Sequence, residues 1–398
     1  MSAATFRIVL LVSFAHALVH AYEVSLPSVE QMIGDDFKVG KEETGLLGTV
    51  WRIPFGAGAL LAGFLADRYG SKPLLLVFLG GCVATSLVSY WSPTLDVVFV
   101  AMFAMGCFAS IYHPAGLALI SRETGPENRP AALGWHGIFG SLGFTCAPLL
   151  AAMAFSVASL NWRQYYVVLC IPTILIALLL AGTLKETKKR DPSSEEEPLD
   201  QKQTFEEDNE AANIPGIFYF LVLIGSLSGF VYAGFMHFLP RYLNSALLER
   251  SSLPAEGLRN YLAAIVLGFG VIGQAVAGRF ARPGRMGKQL SFVMLANAPC
   301  LVAMALAEGP WRLAAACVFA MIHFMNQPLY NSLIAQYVPA HRRSMGYGFS
   351  NMMCFGIGAL GPLFAGFMPT DQATYSGLAA VVTIAGMLAL FLDGRQTG

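Results

Sequence analysis

The sequence predicts an all-α integral membrane protein with twelve transmembrane helices in two six-helix halves. Apolar residues make up 55% of the 398 residues and charged residues only 13%, whereas soluble domains carry about 25% charged residues. The mean hydropathy of +0.57 is equally unlike that of a soluble protein. Apolar segments recur along the chain, and each has the roughly 20 residues that a helix needs to cross the hydrocarbon of a bilayer.

The first of these apolar segments is predicted to be a transmembrane helix rather than a secretory signal. It follows Arg7, is too long for a signal-peptide core and lacks a clear cleavage site. The twelve segments are called spans 1 to 12 and are predicted at residues 6–33, 44–67, 73–92, 95–121, 130–158, 162–184, 214–243, 256–281, 288–308, 311–337, 341–369 and 373–393.

The polar segment between spans 6 and 7 predicts a linker. Residues 185–213 contain Lys188-Lys189-Arg190 and two acidic runs, a composition too polar to cross a membrane or to pack into a core. We therefore expect an N-terminal half over residues 1–184, a charged cytoplasmic linker over 185–213, and a C-terminal half over 214–398.

The distribution of Lys and Arg predicts that both termini are cytoplasmic, in a cell (inner) membrane. With an even number of spans the termini share one side. Placing them inside puts 17 of the 25 cations in the cytoplasm and 7 outside, and leaves Arg52 within a span. Cytoplasmic loops carry the excess of Lys and Arg in membrane proteins.

The two halves repeat in sequence at an offset of 214 residues. The matched pairs keep one register from span 2 to span 11 and are Gly56 with Gly270, Arg68 with Arg282, Gly70 with Gly284, Pro114 with Pro328, Arg129 with Arg343, Gly134 with Gly348, and Pro148 with Pro362. A parallel repeat of two six-helix halves, related by a pseudo-two-fold axis, is an architecture of secondary transporters.

The turn between spans 2 and 3 carries a more specific signal. It reads Gly63-x-Leu65-x-Asp67-Arg68-x-Gly70-x-Lys72 and places charges and turn-forming residues between two apolar segments, so it must lie at a water interface. This spacing resembles the loop between helices 2 and 3 of the major facilitator superfamily. The resemblance implies that fold, with spans 1, 4, 7 and 10 around a central cavity.

Ionisable residues inside spans are costly and are therefore candidates for function. In span 1, His16, His20, Glu23 and Pro27 follow one another at spacings of 4, 3 and 4 and share one helix face. We predict that Glu23, His16 and His20 carry a coupling proton, because imidazole titrates near neutrality. Arg52 in span 2 is the predicted partner of Glu23, with a static Glu23–Arg52 ion pair as the alternative.

Polar residues beside prolines in spans 4 and 10 indicate interrupted helices at matching places in the two halves, which is the best sequence indicator of a transporter's binding site. Five of the six histidines within spans lie on the helices implied to line the cavity. The predicted substrate-binding residues are Tyr22, Arg52, Tyr112, His113, His136, Tyr232, His237, His323, Asn326, Gln327 and Asn331.

A closer resemblance involves His20-Ala21-Tyr22-Glu23, Pro27, Tyr112-His113-Pro114 and the glycines of span 5. Together with the charged turn, these look like the fosmidomycin-resistance-type branch of the superfamily, whose members are proton-coupled exporters. The resemblance implies that Asp67 and Arg68 belong to a cytoplasmic gate and that His113 lines the cavity. The full predicted gate comprises Gly63, Asp67, Arg68, Gly70, Lys72, Arg122, Arg282 and Arg343.

The resulting prediction is a monomeric, proton-coupled exporter of a small polar or amphipathic organic solute, anions included, with no cofactor. Uptake by proton symport would use the same groups. One alternative is a carrier of a transition-metal ion or chelate held by His16, His20 and His113, because imidazole suits such metals. Another is a receptor or scaffold without flux. The zero net charge gives no reason to expect a nucleic-acid partner, and no catalytic motif indicates an enzyme.

Overall fold

The computed structural model describes residues 1–125, 127–183, 215–244, 251–282, 284–338 and 343–394. The helices of the twelve spans are, in chain order, Ala3–Phe37, Lys41–Tyr69, Ser71–Tyr90, Leu95–Ala109 with Tyr112–Glu123, Arg129–Ser156, Trp162–Thr183, Pro215–Leu243, Ala255–Phe280, Met286–Leu306, Trp311–Phe324 with Asn326–Tyr337, Arg343–Gly358 with Leu360–Phe367, and Asp371–Gly394. Among the described residues, all twelve spans are long and apolar enough to cross a membrane, which confirms the predicted fold class.

Spans 4, 10 and 11 are each interrupted near the middle. The breaks lie at Ser110–Ile111, at Met325 and at Ala359. Each break precedes a proline by three or four residues, because the proline ring clashes with the carbonyl four positions earlier and has no N–H to donate. The interruptions predicted in spans 4 and 10 are therefore present.

The outer surface of the helix bundle is apolar. Large side chains such as Val100, Ile171 and Leu178 are each 67% exposed, and a soluble protein rarely leaves so many of them in water. A bilayer accounts for this surface, so the chain is a multi-pass membrane protein.

The buried apolar residues form two cores. One contains residues from Val9 to Leu180. The other contains residues from Ile217 to Ala389, together with Val24 and Ala147. We call residues 1–183 the N-terminal half and residues 215–394 the C-terminal half. Residues 185–213, the predicted linker, lie outside the described residues.

The two copies of the turn between the second and third spans of each half share a backbone feature. Gly70 has φ of 89° and Gly284 has φ of 75°, a region that side chains with a Cβ rarely enter. The sequence repeat at an offset of 214 therefore corresponds to a shared backbone conformation.

Contacts between the halves favour one side of the bundle. We call the side on which span 1 begins and span 12 ends the terminal side and the opposite side the distal side. Among the described residues, most hydrogen bonds between the halves lie on the distal side and join Ser28 with Asn260, Glu30 with Arg241, Gln31 with Arg259, Thr44 with His237, and Thr49 with Ala359 and Leu363. The halves are therefore closed against each other on the distal side.

Candidate functional site

The centre of the bundle holds a buried carboxylate with partners from both halves. Glu23 is 2% exposed. Its Oε1 accepts hydrogen bonds from Arg52 Nη1 at 3.0 Å and from the Tyr232 hydroxyl at 3.2 Å. An unpaired buried charge would cost several kcal/mol, roughly, so these donors are needed to keep the carboxylate in place. The predicted pairing of Glu23 with Arg52 is present, and Tyr232 connects it to the C-terminal half.

A chain of imidazoles continues from the other carboxylate oxygen. His20 Nδ1 lies 2.9 Å from Glu23 Oε2, and His20 Nε2 lies 3.1 Å from His16 Nε2. His16 Nδ1 lies 2.7 Å from the backbone carbonyl oxygen of His136. Spacings of three and four residues along span 1 place the side chains of His16, His20 and Glu23 on one helix face.

The hydrogen bonds of this chain determine how many protons it contains. The His136 carbonyl only accepts, so His16 Nδ1 must carry a hydrogen, and Nε2 of a neutral His16 is then bare. An ionised Glu23 likewise requires the hydrogen of His20 on Nδ1. Two bare nitrogens 3.1 Å apart would have no hydrogen between them. The arrangement therefore requires one further proton, either between the imidazoles or on Glu23.

Aromatic rings hold His16 in position. Its ring stacks on His136 with centroids 3.8 Å apart and on Tyr112 at 5.2 Å. Tyr112 is itself fixed, because its hydroxyl donates to the Val12 carbonyl at 2.7 Å. On span 5, Gly140 provides the space: a Cβ there would lie 2.4 Å from His16 Cε1.

The C-terminal half supplies polar groups that are incompletely bonded. The His323 ring lies parallel to the Tyr232 ring, with centroids 6.2 Å apart. Asn326 Nδ2 donates to Ser228 Oγ at 2.5 Å. His323 Nδ1 and Asn326 Oδ1 are buried without a hydrogen-bond partner among the described residues. Each such atom costs about 1–3 kcal/mol unless something bonds it.

Three histidines come close enough together to share an ion. Ring nitrogens of His16, His20 and His113 lie within 4.8 Å of one another. This is the set named in the metal alternative, and spans 1 and 4 bring it together.

Other predicted site residues lie elsewhere. Tyr22 is fully buried within the N-terminal half, and its hydroxyl hydrogen-bonds Thr173 at 2.9 Å. A step of one residue along a helix turns the side chain by about 100°, so Tyr22 points away from the face of Glu23. His237 bonds the Thr44 carbonyl on the distal side. Asn331 is exposed near the terminal end of span 10.

Gln327 belongs to a separate polar chain between the halves. Its Oε1 accepts from Gln274 Nε2 at 2.6 Å, and Gln274 Oε1 accepts from the Ser141 hydroxyl at 2.7 Å. Ser141 is on span 5 and the two glutamines are on spans 8 and 10. Of the described hydrogen bonds between the halves, the one from Ser141 to Gln274 is nearest the terminal side.

A second buried carboxylate was missed by sequence reasoning. Glu30 is 2% exposed. Arg241 donates to it twice, at 2.7 Å and 3.0 Å, and the Thr44 hydroxyl donates at 2.5 Å. Glu30 follows Glu23 by seven residues and so shares its helix face. That spacing was a usable signal.

The count of cations outside the membrane also needs correction. Arg259 is one of the seven cations that the sequence places outside, but it is 3% exposed within span 8. Its Nη1 donates to Gln31 Oε1 at 2.6 Å. Because an arginine can donate across to a neighbouring helix, it can be buried near the end of a span.

Comparison with known proteins establishes the family. The profile of the Major Facilitator Superfamily matches residues 9–362. The chain belongs to this superfamily.

Two relatives show which kinds of protein in this superfamily the chain is similar to. A hexuronate transporter of Bacillus subtilis (strain 168) is 24% identical over 381 residues, which cover 90% of the chain and 86% of the relative. A puromycin resistance protein of Streptomyces alboniger is 31% identical over 157 residues, which cover 39% of the chain but only 30% of the relative.

A solved structure shows the same superfamily fold. It is a bacterial homologue of the human lysosomal transporter Spinster, in an inward-facing and unoccupied conformation. The TM-score is 0.74 at 17% identity, over 99% of the chain and 96% of that structure. The central polar groups therefore lie in a member of a family of membrane transporters rather than of enzymes.

The charged turn that carried the superfamily resemblance lies at the terminal ends of spans 2 and 3. Asp67 Oδ1 is 3.9 Å from Arg122 Nη2, and the Asp67 side chain is 83% exposed. An exposed pair of this kind contributes about 0–1 kcal/mol. Arg68 lies over the Tyr69 ring, and Lys72 donates to the Ala181 carbonyl.

The remaining gate residues are distributed around the same side. Gly63 approaches Pro114 of span 4, Gly70 forms the turn, and the Arg282 amide donates to Gln289. Arg343 begins a helix, but its side chain lies outside the described residues. The structure thus groups Asp67 with Arg122 of its own half.

Proposed function

We propose that this superfamily member is a proton-coupled secondary transporter of a small polar or amphipathic organic solute, anionic solutes included. The observation that carries the proposal is the chain from His16 through His20 to Glu23, whose hydrogen bonds require one additional proton. Loss of that proton leaves two imidazole nitrogens facing each other, so proton release must rearrange residues that contact the opposite half.

Movement between the halves provides the transport step. The two buried cores support a division into units at residues 1–184 and 214–398, joined by the segment 185–213. In this proposal each unit moves as a body around the central polar groups. Tyr232 transmits the state of Glu23 to the other unit, because its hydroxyl bonds that carboxylate.

The proposed orientation places both termini and the linker in the cytoplasm of a cell (inner) membrane. It rests on the excess of Lys and Arg in the loops of the terminal side. Because the described contacts close the distal side, the structure then corresponds to an inward-facing state. A monomer suffices for this mechanism, with the solute, protons and lipid as partners.

Export is the direction that we propose. It is supported by the resemblance to the fosmidomycin-resistance-type branch and by the similarity to a puromycin resistance protein. The similarity to a hexuronate transporter supports an organic anion as the transported class. It also favours an organic solute over the metal carrier, although His16, His20 and His113 lie close together.

The test is the variant Glu23→Gln in proteoliposomes that contain the pH dye pyranine. Glucuronate, benzoate and puromycin are added in turn to the wild type, and a transported solute should acidify or alkalinise the lumen. Glu23→Gln should abolish this proton movement while solute binding stays measurable. The exposed Glu42→Gln is the matched control and should behave like the wild type.

Three results would contradict the proposal. Unchanged proton-coupled flux in Glu23→Gln would exclude Glu23 as the coupling group. Absence of counterflow for every solute that binds would favour a receptor or scaffold. Inhibition by Zn²⁺ or Ni²⁺ together with uptake of the metal would favour the metal carrier.

A further inference from the structure

Arg52 has unused capacity to bind an acceptor. Its guanidinium has five N–H groups, and among the described residues it makes one hydrogen bond, to Glu23. It lies over the Tyr232 ring with Cζ 5.5 Å from the centroid. A planar fork of donors is suited to a carboxylate, so a second carboxylate can compete with Glu23 for this arginine.

On the opposite half, the His323 side chain has a ring nitrogen without a hydrogen-bond partner among the described residues. His323 is 4% exposed, and its Nδ1 has no partner among the described residues. Its ring stacks on the Tyr232 ring, so span 10 places this unpaired nitrogen close to the residue that bonds Glu23. A ligand with hydrogen-bonding atoms would remove the cost of leaving the nitrogen unpaired.

The charges in this region favour an anion over a cation. Glu23 and Arg52 cancel, and the further proton that the histidine chain requires adds one positive charge. The second buried carboxylate, Glu30, is already bonded by Arg241 and Thr44. A cationic solute would therefore be repelled by a site with net positive charge, whereas a monoanion would neutralise it.

The walls around these polar groups are aromatic. Phe144 lies 4.0 Å from the His20 ring and 6.2 Å from Phe324, and Phe55 lies 5.1 Å from Phe355, all measured between ring centroids. Two of these phenylalanines come from each half. Rings of this kind bind flat apolar groups edge-on or face-on.

We propose that the solute is an aromatic monocarboxylate, and this inference rests on the proposed transport function. Its carboxylate bonds Arg52 and Tyr232 in place of Glu23, with His323 beside it, and its ring lies among Phe55, Phe144, Phe324 and Phe355. Glu23 gives up these two donors when the further proton of the histidine chain binds to its carboxylate. Proton and anion therefore bind together and cross in the same direction, and export is driven by the concentration gradient of the anion.

Calorimetry on the purified full-length protein tests the ligand class. The probes are benzoate, cyclohexanecarboxylate, glucuronate, benzamide and benzylamine. Benzoate should bind at least about tenfold more tightly than each of the others, because they lack the ring, the apolar body or the charge. Repeating the titration in two buffers of different ionisation enthalpy should show about one proton taken up with each benzoate.

Variants of the two charged residues test the exchange of partners. Glu23→Gln should bind benzoate about tenfold more tightly at neutral pH with no proton uptake, because a charged competitor for Arg52 is gone. Arg52→Gln should lose binding. If Arg52→Gln does not fold, the double variant Glu23→Gln/Arg52→Gln removes both charges and should also fail to bind. Arg312→Gln, whose partner Asp371 lies on the distal surface, should bind like the wild type.

Several outcomes would overturn the inference. Preferential binding of benzylamine would refute the anionic site, and preferential binding of glucuronate would refute the aromatic one. Absence of benzoate binding would refute both. If another solute shows proton-coupled flux that Glu23→Gln abolishes, the proposed function stands while this inference fails. Benzoate binding with proton uptake but without counterflow would instead refute transport and leave the ligand assignment intact.

Discussion

The position of the His16 ring depends on a neighbouring residue that has no side chain. A Cβ on Gly140 would lie 2.4 Å from His16 Cε1 and 2.8 Å from Nδ1, distances at which the ring must move. The bond from His16 to the His136 carbonyl and the contact with His20 both depend on the place of this ring.

Gly140→Ala is therefore expected to reduce proton-coupled flux about tenfold or more, because shifting a hydrogen-bonded charged group costs about 1.5–3 kcal/mol. Gly137→Ala is the matched control on the same helix, because its Cβ would meet nothing within 4 Å. Pyranine-loaded proteoliposomes measure both variants. Equal flux in the two would show that the His16 ring position is unimportant.

At this scale the sequence predicted the main group and the pairing of Glu23 with Arg52, but not the other contacts of that group. The helical spacing of His16, His20 and Glu23 was sufficient to place them on one face. Tyr22 adjoins Glu23 in sequence but turns into the core of the N-terminal half. The bond from Tyr232 to Glu23 joins residues 209 positions apart, and no local pattern encodes such a contact.

At the scale of elements, spans 1 and 7 are joined by a two-point contact on the distal side. Glu30 accepts two hydrogen bonds from Arg241, and Thr44 of span 2 adds a third. Removing one partner of a buried pair leaves a charge without compensation, at a cost of about 3–5 kcal/mol. Removing one partner would therefore destabilise the state in which the distal side is closed.

Glu30→Gln is therefore expected to shift the population toward a state open on the distal side. Spin labels on Thr94→Cys and Glu308→Cys, in exposed loops of the two halves, report the separation by electron–electron resonance with the native cysteines replaced. The mean distance should increase. Asp36→Asn, which breaks an ion pair with Arg163 within the N-terminal half, should leave the distance unchanged. An unaltered distance in Glu30→Gln would mean that the pair does not stabilise closure.

At the scale of the whole molecule, the two cores meet through a limited set of hydrogen bonds among the described residues. Those contacts are concentrated on the distal side, while Asp67 and Arg122 on the terminal side pair within one half. The proposal of a cytoplasmic gate requires Asp67 to engage the other half when the terminal side closes. Its carboxylate is exposed and available for that exchange.

Asp67→Asn is expected to favour the state open on the terminal side and to slow turnover without unfolding the protein. Labels on Glu127→Cys and Arg285→Cys, again in exposed turns of the two halves, should report a longer mean distance than in the parent. Glu42→Asn on the distal side serves as the control. A distance distribution identical to that of the parent would exclude Asp67 from the gate.

The sequence by itself determined the number of spans and placed their ends within four residues of the helix ends, because membrane crossing depends on length and hydropathy. It also determined the breaks in spans 4 and 10, since proline acts on its own helix. Even the matching turns at Gly70 and Gly284 followed from a repeat that was visible in the residues.

Only the tertiary structure decided which polar groups meet across the halves. The contacts of Glu30 with Arg241 and of Glu23 with Tyr232 depend on how separate helices are rotated and packed. The same is true of the unpaired nitrogen of His323 beside Tyr232. Helix periodicity shows which side chains share one face of a helix. It does not show which other helix packs against that face, because that contact joins residues far apart in the sequence.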